Sequence, residues 1–216
     1  LDLSNCDDML FLDLYNNRID SVTLGSMKSM RILGLQNNQI SRLDPSGLPA
    51  CQGIDAGKNH LTELNVSQNP ELVELYINDN DFRSIDISHN HKLKYFYCHN
   101  NNITALDTTD NPLLRHLNAT NNPLREIRSL APQRKERLPL SLTASDGGCV
   151  GMQFNPVYNA QWKETGEWQQ SYYAYPDDGF CFDGWYDVNG NKVFDGDIWA
   201  DKYGTDRVLT AVFKSV

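Results

Sequence analysis

Long apolar runs are missing from this 216-residue chain. No stretch approaches the ~18 residues that a membrane-spanning helix needs. Basic charge is scarce too: 19 Lys and Arg face 28 Asp and Glu, a net charge of −9. Phosphate backbones favour the opposite sign, which argues against a nucleic-acid partner. No basic, apolar, small-residue leader opens the chain, so a signal peptide is either lacking or already removed. The five cysteines, Cys6, Cys51, Cys98, Cys149 and Cys181, contain no CxxC pair. Zinc ribbons and thioredoxin-type chemistry therefore find no footing. Signatures of the GxSxG, HExxH, P-loop and GxGxxG types are absent as well. The chain reads as a non-enzyme with no cofactor and no required metal. With 40% hydrophobic and 10% aromatic residues it still has the means to build one large domain or two small ones.

What is present in the first half is a repeat. Asn17, Asn38, Asn59, Asn80, Asn101 and Asn122 are spaced 21 residues apart. Around them runs one frame: Leu12, Leu14, Ile19; Leu33, Leu35, Ile40; Ile54, Ala56, Leu61; Leu75, Ile77, Phe82; Phe96, Cys98, Ile103; Leu117, Ala119, Leu124. Another apolar residue precedes each: Met9, Met30, Cys51, Leu72, Leu93 and Leu114. This is LxxLxLxxNxL, the leucine-rich repeat pattern. The LxL segment alternates, so it is a short strand with one buried face. Strands from successive coils form a parallel sheet with neighbours ~4.8 Å apart. The sharp turn that follows leaves backbone groups in need of partners, and an asparagine amide supplies both donors and an acceptor. The asparagine column is therefore structural.

The rest of each repeat alternates with period two (Val22 and Leu24, Leu64 and Val66, Ile85 and Ile87), which predicts a second extended segment, not a helix. Asn69-Pro70, Asn90 and Asn111-Pro112 mark the turn into the next strand. Leu1 and Leu3 sit 21 residues before Val22 and Leu24, so the chain starts mid-coil and is expected to be truncated or processed. The lines LTELNVSQNPELVELYINDN and ITALDTTDNPLLRHLNATNN resemble the short leucine-rich repeats of bacterial cell-surface proteins, Bacteroidetes and internalin-like ones among them. The expected solenoid covers 1–128, six full repeats of 21 plus a partial first.

The polar, basic APQRKER lies in a linker expected at 129–137. Beyond it composition changes. All four tryptophans (Trp162, Trp168, Trp185, Trp199) follow it, whereas all five histidines precede it. Residues 138–216 read as β-rich, with strand candidates at LPLSLTAS, SYYAYP, FCFDGWYD and RVLTAVF and a tight hairpin turn at Val188-Asn189-Gly190-Asn191. The stretch 160–170 is ambiguous. LTASDGGCV, GFCFDGWYDVNG and VLTAVF, with Gly179, Phe182, Gly184 and Trp185 in a GxxFxGW motif, resemble the B-repeat family of Listeria and Bacteroides surface proteins. That resemblance implies a small β-grasp-like module with no chemistry of its own. The stretch 155–175 departs from the family in length.

Weaker signals read as structure. Asp187, Asn189, Asn191 and Asp195 imitate an EF-hand loop, but Lys192 and Ile198 stand where glycine and glutamate are needed, so a hairpin is the better reading. Cys51 and Cys98 belong to the buried frame two coils apart, roughly 9–10 Å, too far for a disulfide. Cys149 and Cys181 fall in one small domain and could pair.

The residues between buried ones point outward from the sheet. Tyr76, Tyr95, Tyr97, His99 and His116 then gather on coils four to six, and Phe11 and Tyr15 on coil one, with Gly53 and Gly57 between. Exposed tyrosine gives large contact area with a polar tip. Ordinary sheet surface is the alternative reading of this cluster, as is a His99–His116 metal site. The expectation is a non-catalytic secreted or cell-surface interaction protein that binds a protein or glycan, host-derived ones included, through the sheet face. The alternatives are the substrate-binding part of a larger secreted glycan-active enzyme, or a structural spacer.

Overall fold

The computed structural model describes residues 1–131, 138–158, 164–194, 198–200 and 207–216. They divide into two compact units: Leu1–Asn102 with Asp110–Leu114, and Ile103–Thr109 with Arg115–Val216. No helix occurs among the described residues.

The first unit is a β-solenoid. Its strands are β1 (Asp2–Leu3), β2 (Phe11–Asp13), β3 (Thr23–Leu24), β4 (Ile32–Gly34), β5 (Gly53–Asp55), β6 (Glu74–Tyr76) and β7 (Tyr95–Tyr97). β2, β4, β5, β6 and β7 pair in parallel, and the register advances by one repeat per strand: Phe11, Ile32, Gly53, Glu74 and Tyr95 lie side by side. The frame is buried as its period requires, with Leu33, Leu35, Ile54, Leu75, Ile77, Phe96 and Cys98 all fully enclosed.

The asparagine column does what its chemistry suggests. Asn59 Nδ2 donates to Leu35 O (3.0 Å) and Ala56 O (3.2 Å), while its Oδ1 accepts from Ile40 N (3.0 Å). One amide thus ties two coils, and Asn38, Asn80 and Asn101 repeat the pattern. The residue before each is left-handed: Asn16, Asn37, Lys58, Asp79, Asn100 and Asn121 have φ between 53° and 57°. Asn and Asp tolerate that region best among residues with a Cβ, and Lys58 is the exception in the column.

A second ladder lies where the sequence suggests only turns. Asn69, Asn90 and Asn111 are buried, at 0–1% exposure. Asn90 Nδ2 donates to Val66 O (3.0 Å) and Asn69 O (2.9 Å), and Asn111 Nδ2 to Ile87 O (2.9 Å) and Asn90 O (3.0 Å). These amides satisfy carbonyls freed at the turn that leads into the next sheet strand.

The second unit holds β8 (Ala105–Asp107), β9 (His116–Asn118), β10 (Glu126–Ala131), β11 (Leu138–Ala144), β12 (Gly148–Tyr158), β13 (Glu164–Pro176), β14 (Phe180–Tyr186), β15 (Lys192–Phe194), β16 (Ile198–Ala200) and β17 (Arg207–Ser215). One sheet runs β9-β12-β13-β16, all antiparallel. The other runs β8-β10-β11-β17-β14-β15, with parallel pairs at β8-β10 and β11-β17. The sixth coil supplies one strand to each: β9 to the first and β10 to the second. Its two extended sides therefore continue into the aromatic segment. β10 pairs with β11 across Ala131 and Leu138. The expected linker at 129–137 thus begins inside a strand, and its residues 132–137 lie outside those described.

The core of this unit is aromatic. Trp185 is fully buried, with Phe182 at 5.8 Å and Tyr172 at 6.3 Å between ring centroids. Glycines at the turn before β12 make room for rings: a Cβ on Gly147 would run into Phe180, and one on Gly148 into Phe213. The ambiguous stretch at 160–170 enters β13 at Glu164, while 159–163, Trp162 included, lie outside the described residues. The hairpin at 188–191 forms as expected. Asp187 Oδ1 accepts from Asn189 N (2.9 Å) and Asn191 N (2.8 Å), so this carboxylate serves the turn. Asp195 lies outside the described residues. Cys149 and Cys181 are free thiols in this structure, as are Cys6, Cys51 and Cys98.

Candidate functional site

The outward faces of β6 and β7 bring four of the five candidate residues together in the first unit. Tyr76 and Tyr97 are paired by register, and their rings meet edge-on at 5.2 Å between centroids. His99 continues the row at 6.3 Å from the Tyr97 ring. Tyr95 leaves the same strand two residues before Tyr97, as period two requires. All four are half-buried. Each ring covers its neighbour and still presents a surface, the arrangement expected of aromatics stacked ~4.8 Å apart on a parallel sheet.

Polar neighbours fix the rings. Tyr76 Oη donates to Glu74 Oε2 (3.2 Å). Burial, then the Glu74 carboxylate, pushes the Tyr76 phenol well above its ordinary range, so it stays a neutral donor. Burial lowers the His99 pKa, with the Asp79 charge pulling the other way. The His99 Nδ1 atom is buried and lacks a hydrogen-bond partner. Asp79 itself accepts from Asn78 Nδ2 (2.6 Å) and Asn100 Nδ2 (2.7 Å). Burial works to raise the Asp79 pKa, but these two bonds with the nearby His99 and Lys58 charges outweigh it and hold the carboxylate low, a polar rim to the patch. Glu74 is a member of this cluster that the tyrosine-centred reading left out. Its place in the outward column was visible, but its bond to Tyr76 was not.

The fifth candidate is His116, on β9. It belongs to the second unit, is 9% exposed, and has Nδ1 3.1 Å from Asn155 Oδ1. Among the described residues no group of three or more His, Cys, Asp or Glu is arranged to hold a metal. What the tyrosine row can do chemically is bury aromatic surface and offer hydroxyl and imidazole hydrogen bonds to whatever covers it.

Neither a protein-family model nor a curated protein matches the chain. Solved structures do. InlP of Listeria monocytogenes is 19% identical, with 99% of this chain and 68% of that one covered at a TM-score of 0.52. The internalin InlF of the same organism is 19% identical over 56% of this chain at a TM-score of 0.44. A leucine-rich repeat protein of Leptospira interrogans is 20% identical over 55% of this chain, also at 0.44. The chain spans only 38% of the Leptospira structure and 44% of InlF. At this identity the InlP match speaks to the fold alone, and it covers nearly the whole chain. The chain therefore has an internalin-like leucine-rich repeat fold, a β-solenoid of about six coils with an extended, helix-free second side.

Proposed function

We propose that the protein is a non-catalytic interaction module, secreted or displayed on a bacterial surface, that binds a protein or glycan through the sheet face of its solenoid. The observation that carries this reading is the contiguous row Tyr76, Tyr97 and His99, flanked by Tyr95. Half-exposed aromatics on a rigid parallel sheet lose little entropy when covered and leave polar tips for hydrogen bonds. In the same reading residues 1–128 form the solenoid, and 138–216 form a B-repeat-like module that caps or spaces it. The enclosed Trp185, with the half-buried Phe182 packed against its ring, supports a packing role for the GxxFxGW motif. The experiment is an array of host proteins and glycans probed with the wild-type chain and with Tyr76→Ala and Tyr97→Ala. A specific hit weakened about thirtyfold by either variant, the size of a ~2 kcal/mol hot spot, supports the reading. A hit retained at full strength by both folded variants refutes it.

A further inference from the structure

The other end of the same sheet face differs in chemistry. Phe11 is 67% exposed, Tyr15 54% and Ile32 40%, so coils one and two carry an open apolar strip. Beside it the central column reads Asp13, Gly34, Asp55 in register. Gly34 leaves the space above its strand to the carboxylate of Asp13: Oδ1 lies 2.9 Å from where a Gly34 Cβ would stand. Asp13 thus leans over the glycine toward Asp55. Gly53 plays the same part for the strip, since Ile32 Cδ1 lies 3.0 Å from its Cβ position.

The two carboxylates are each anchored but not neutralised. Asp13 Oδ1 accepts from Tyr15 N (3.3 Å) and Asp55 Oδ1 from Gly57 N (3.1 Å). No Lys or Arg among the described residues forms an ion pair with either. Burial raises the Asp55 pKa, and the charge of Asp13 adds to the rise, so a cation placed here would relieve an existing cost. The charge pattern is one-sided. The outward strand positions from Phe11 to His99 include the acids Asp13, Asp55 and Glu74, and no Lys or Arg.

We infer that the partner covering this end of the face is a polypeptide segment that sets a Lys or Arg side chain over Gly34, between Asp13 and Asp55, and apolar side chains against Phe11 and Ile32. This rests on the proposed use of the sheet face and names its partner class. A neutral glycan can donate hydroxyls to the two carboxylates but brings no positive charge to offset them and leaves the apolar strip unmatched, and an acidic glycan is repelled. A bare divalent cation needs more oxygens than two carboxylates already engaged by backbone N–H groups provide. A guanidinium or ammonium beside apolar residues matches both the charge and the strip.

The test uses a labelled extended nonapeptide of alternating Leu and Arg, and its citrulline counterpart, which keeps the shape and removes the charge. Fluorescence anisotropy gives the affinity of each for the wild-type chain. The same measurement is made on Asp13→Asn/Asp55→Asn, on Gly34→Ala, and on the charge-matched control Asp44→Asn/Asp86→Asn. The control residues line a groove built by the second segments of coils two to four. The expected result is preference for the arginine peptide, a tenfold or larger loss in the face double variant, a smaller loss in Gly34→Ala, and less than twofold change in the control. Equal losses in the two double variants would reduce the effect to net charge and overturn the inference, as would no arginine preference in the wild type. A natural partner lost with Tyr97→Ala but unaffected by Asp13→Asn/Asp55→Asn overturns this inference alone and leaves the proposed function standing.

Discussion

The two units solve the same problem, enclosing a backbone without helices, with different materials. The first unit buries asparagine. Two amide ladders, at 38/59/80/101 and at 69/90/111, hold its turns, and its aliphatic frame needs one or two side chains per strand. The second unit takes over the first ladder at Asn122, whose Oδ1 accepts from Ile103 N (3.0 Å), but beyond that coil it has longer strands and a core centred on Trp185, Tyr172, Phe182 and Phe213. A coil of 21 residues must turn tightly and often, so its stability depends on satisfying carbonyls at each turn. Strands of 7–13 residues satisfy their own backbone along the ladder and depend on ring packing instead.

That contrast can be broken from either side. Trp185→Ala should cost ~3–5 kcal/mol in chemical denaturation. Leu75→Ala should cost ~2–5 kcal/mol in the first unit, since it empties a fully buried frame position. Asn59→Ala should cost ~1–3 kcal/mol although it removes no apolar surface, because it takes the acceptor from the buried Ile40 N and one of two amide donors from each of Leu35 O and Ala56 O, which keep Asn38 and Asn80. The same change at Asn17, which is exposed and bonds only within its own coil, should cost under ~1 kcal/mol. Equal costs at Asn59 and Asn17 would mean that the ladder is not what holds the coils. Lys58→Asn should stabilise the chain by about 0.5–1 kcal/mol, because Lys58 sits at φ 53° where its column otherwise carries Asn or Asp. Native-state alkylation with peptide mapping should label Cys181, which is exposed, and spare Cys51 and Cys98, whose thiols burial pushes up, Cys51 to about 11. A Cys51–Cys98 bridge would mean that the register of coils three and five is wrong.

The legibility of the fold follows the same division. The first ladder, the LxL strands and the outward tyrosine column were all readable because one period fixes every coil, and a residue's place in the period fixes its direction. The second ladder shares that period at Asn69, Asn90 and Asn111, but Leu48 interrupts it one coil earlier and the Asn-Pro pairs look like ordinary turns. The linker reading at 129–137 rested on composition. β10 instead obeys the repeat, since Glu126–Arg128 stand 21 residues after Ala105–Asp107 and pair with them. In the aromatic segment the four strand candidates fall in β11, β13, β14 and β17, whereas β12 and β16 were not read as strands, and no period relates one strand to the next, so pairings such as the parallel β11-β17 had no sequence signal. At the candidate site the column gave Tyr76, Tyr95, Tyr97 and His99 their places. The Tyr76–Glu74 bond and the lean of Asp13 over Gly34 depend on rotamers and could not be read.

The use of the sheet face is tested most directly by hydrogen–deuterium exchange on the wild-type chain, with and without a saturating partner drawn from the array. Backbone amides of β6 and β7, Glu74–Tyr76 and Tyr95–Tyr97, and the segment that follows each should exchange more slowly in the complex. Protection confined instead to the second segments around Arg42–Pro45, Glu63–Asn65 and Ser84–Asp86, or to the second unit, would contradict it.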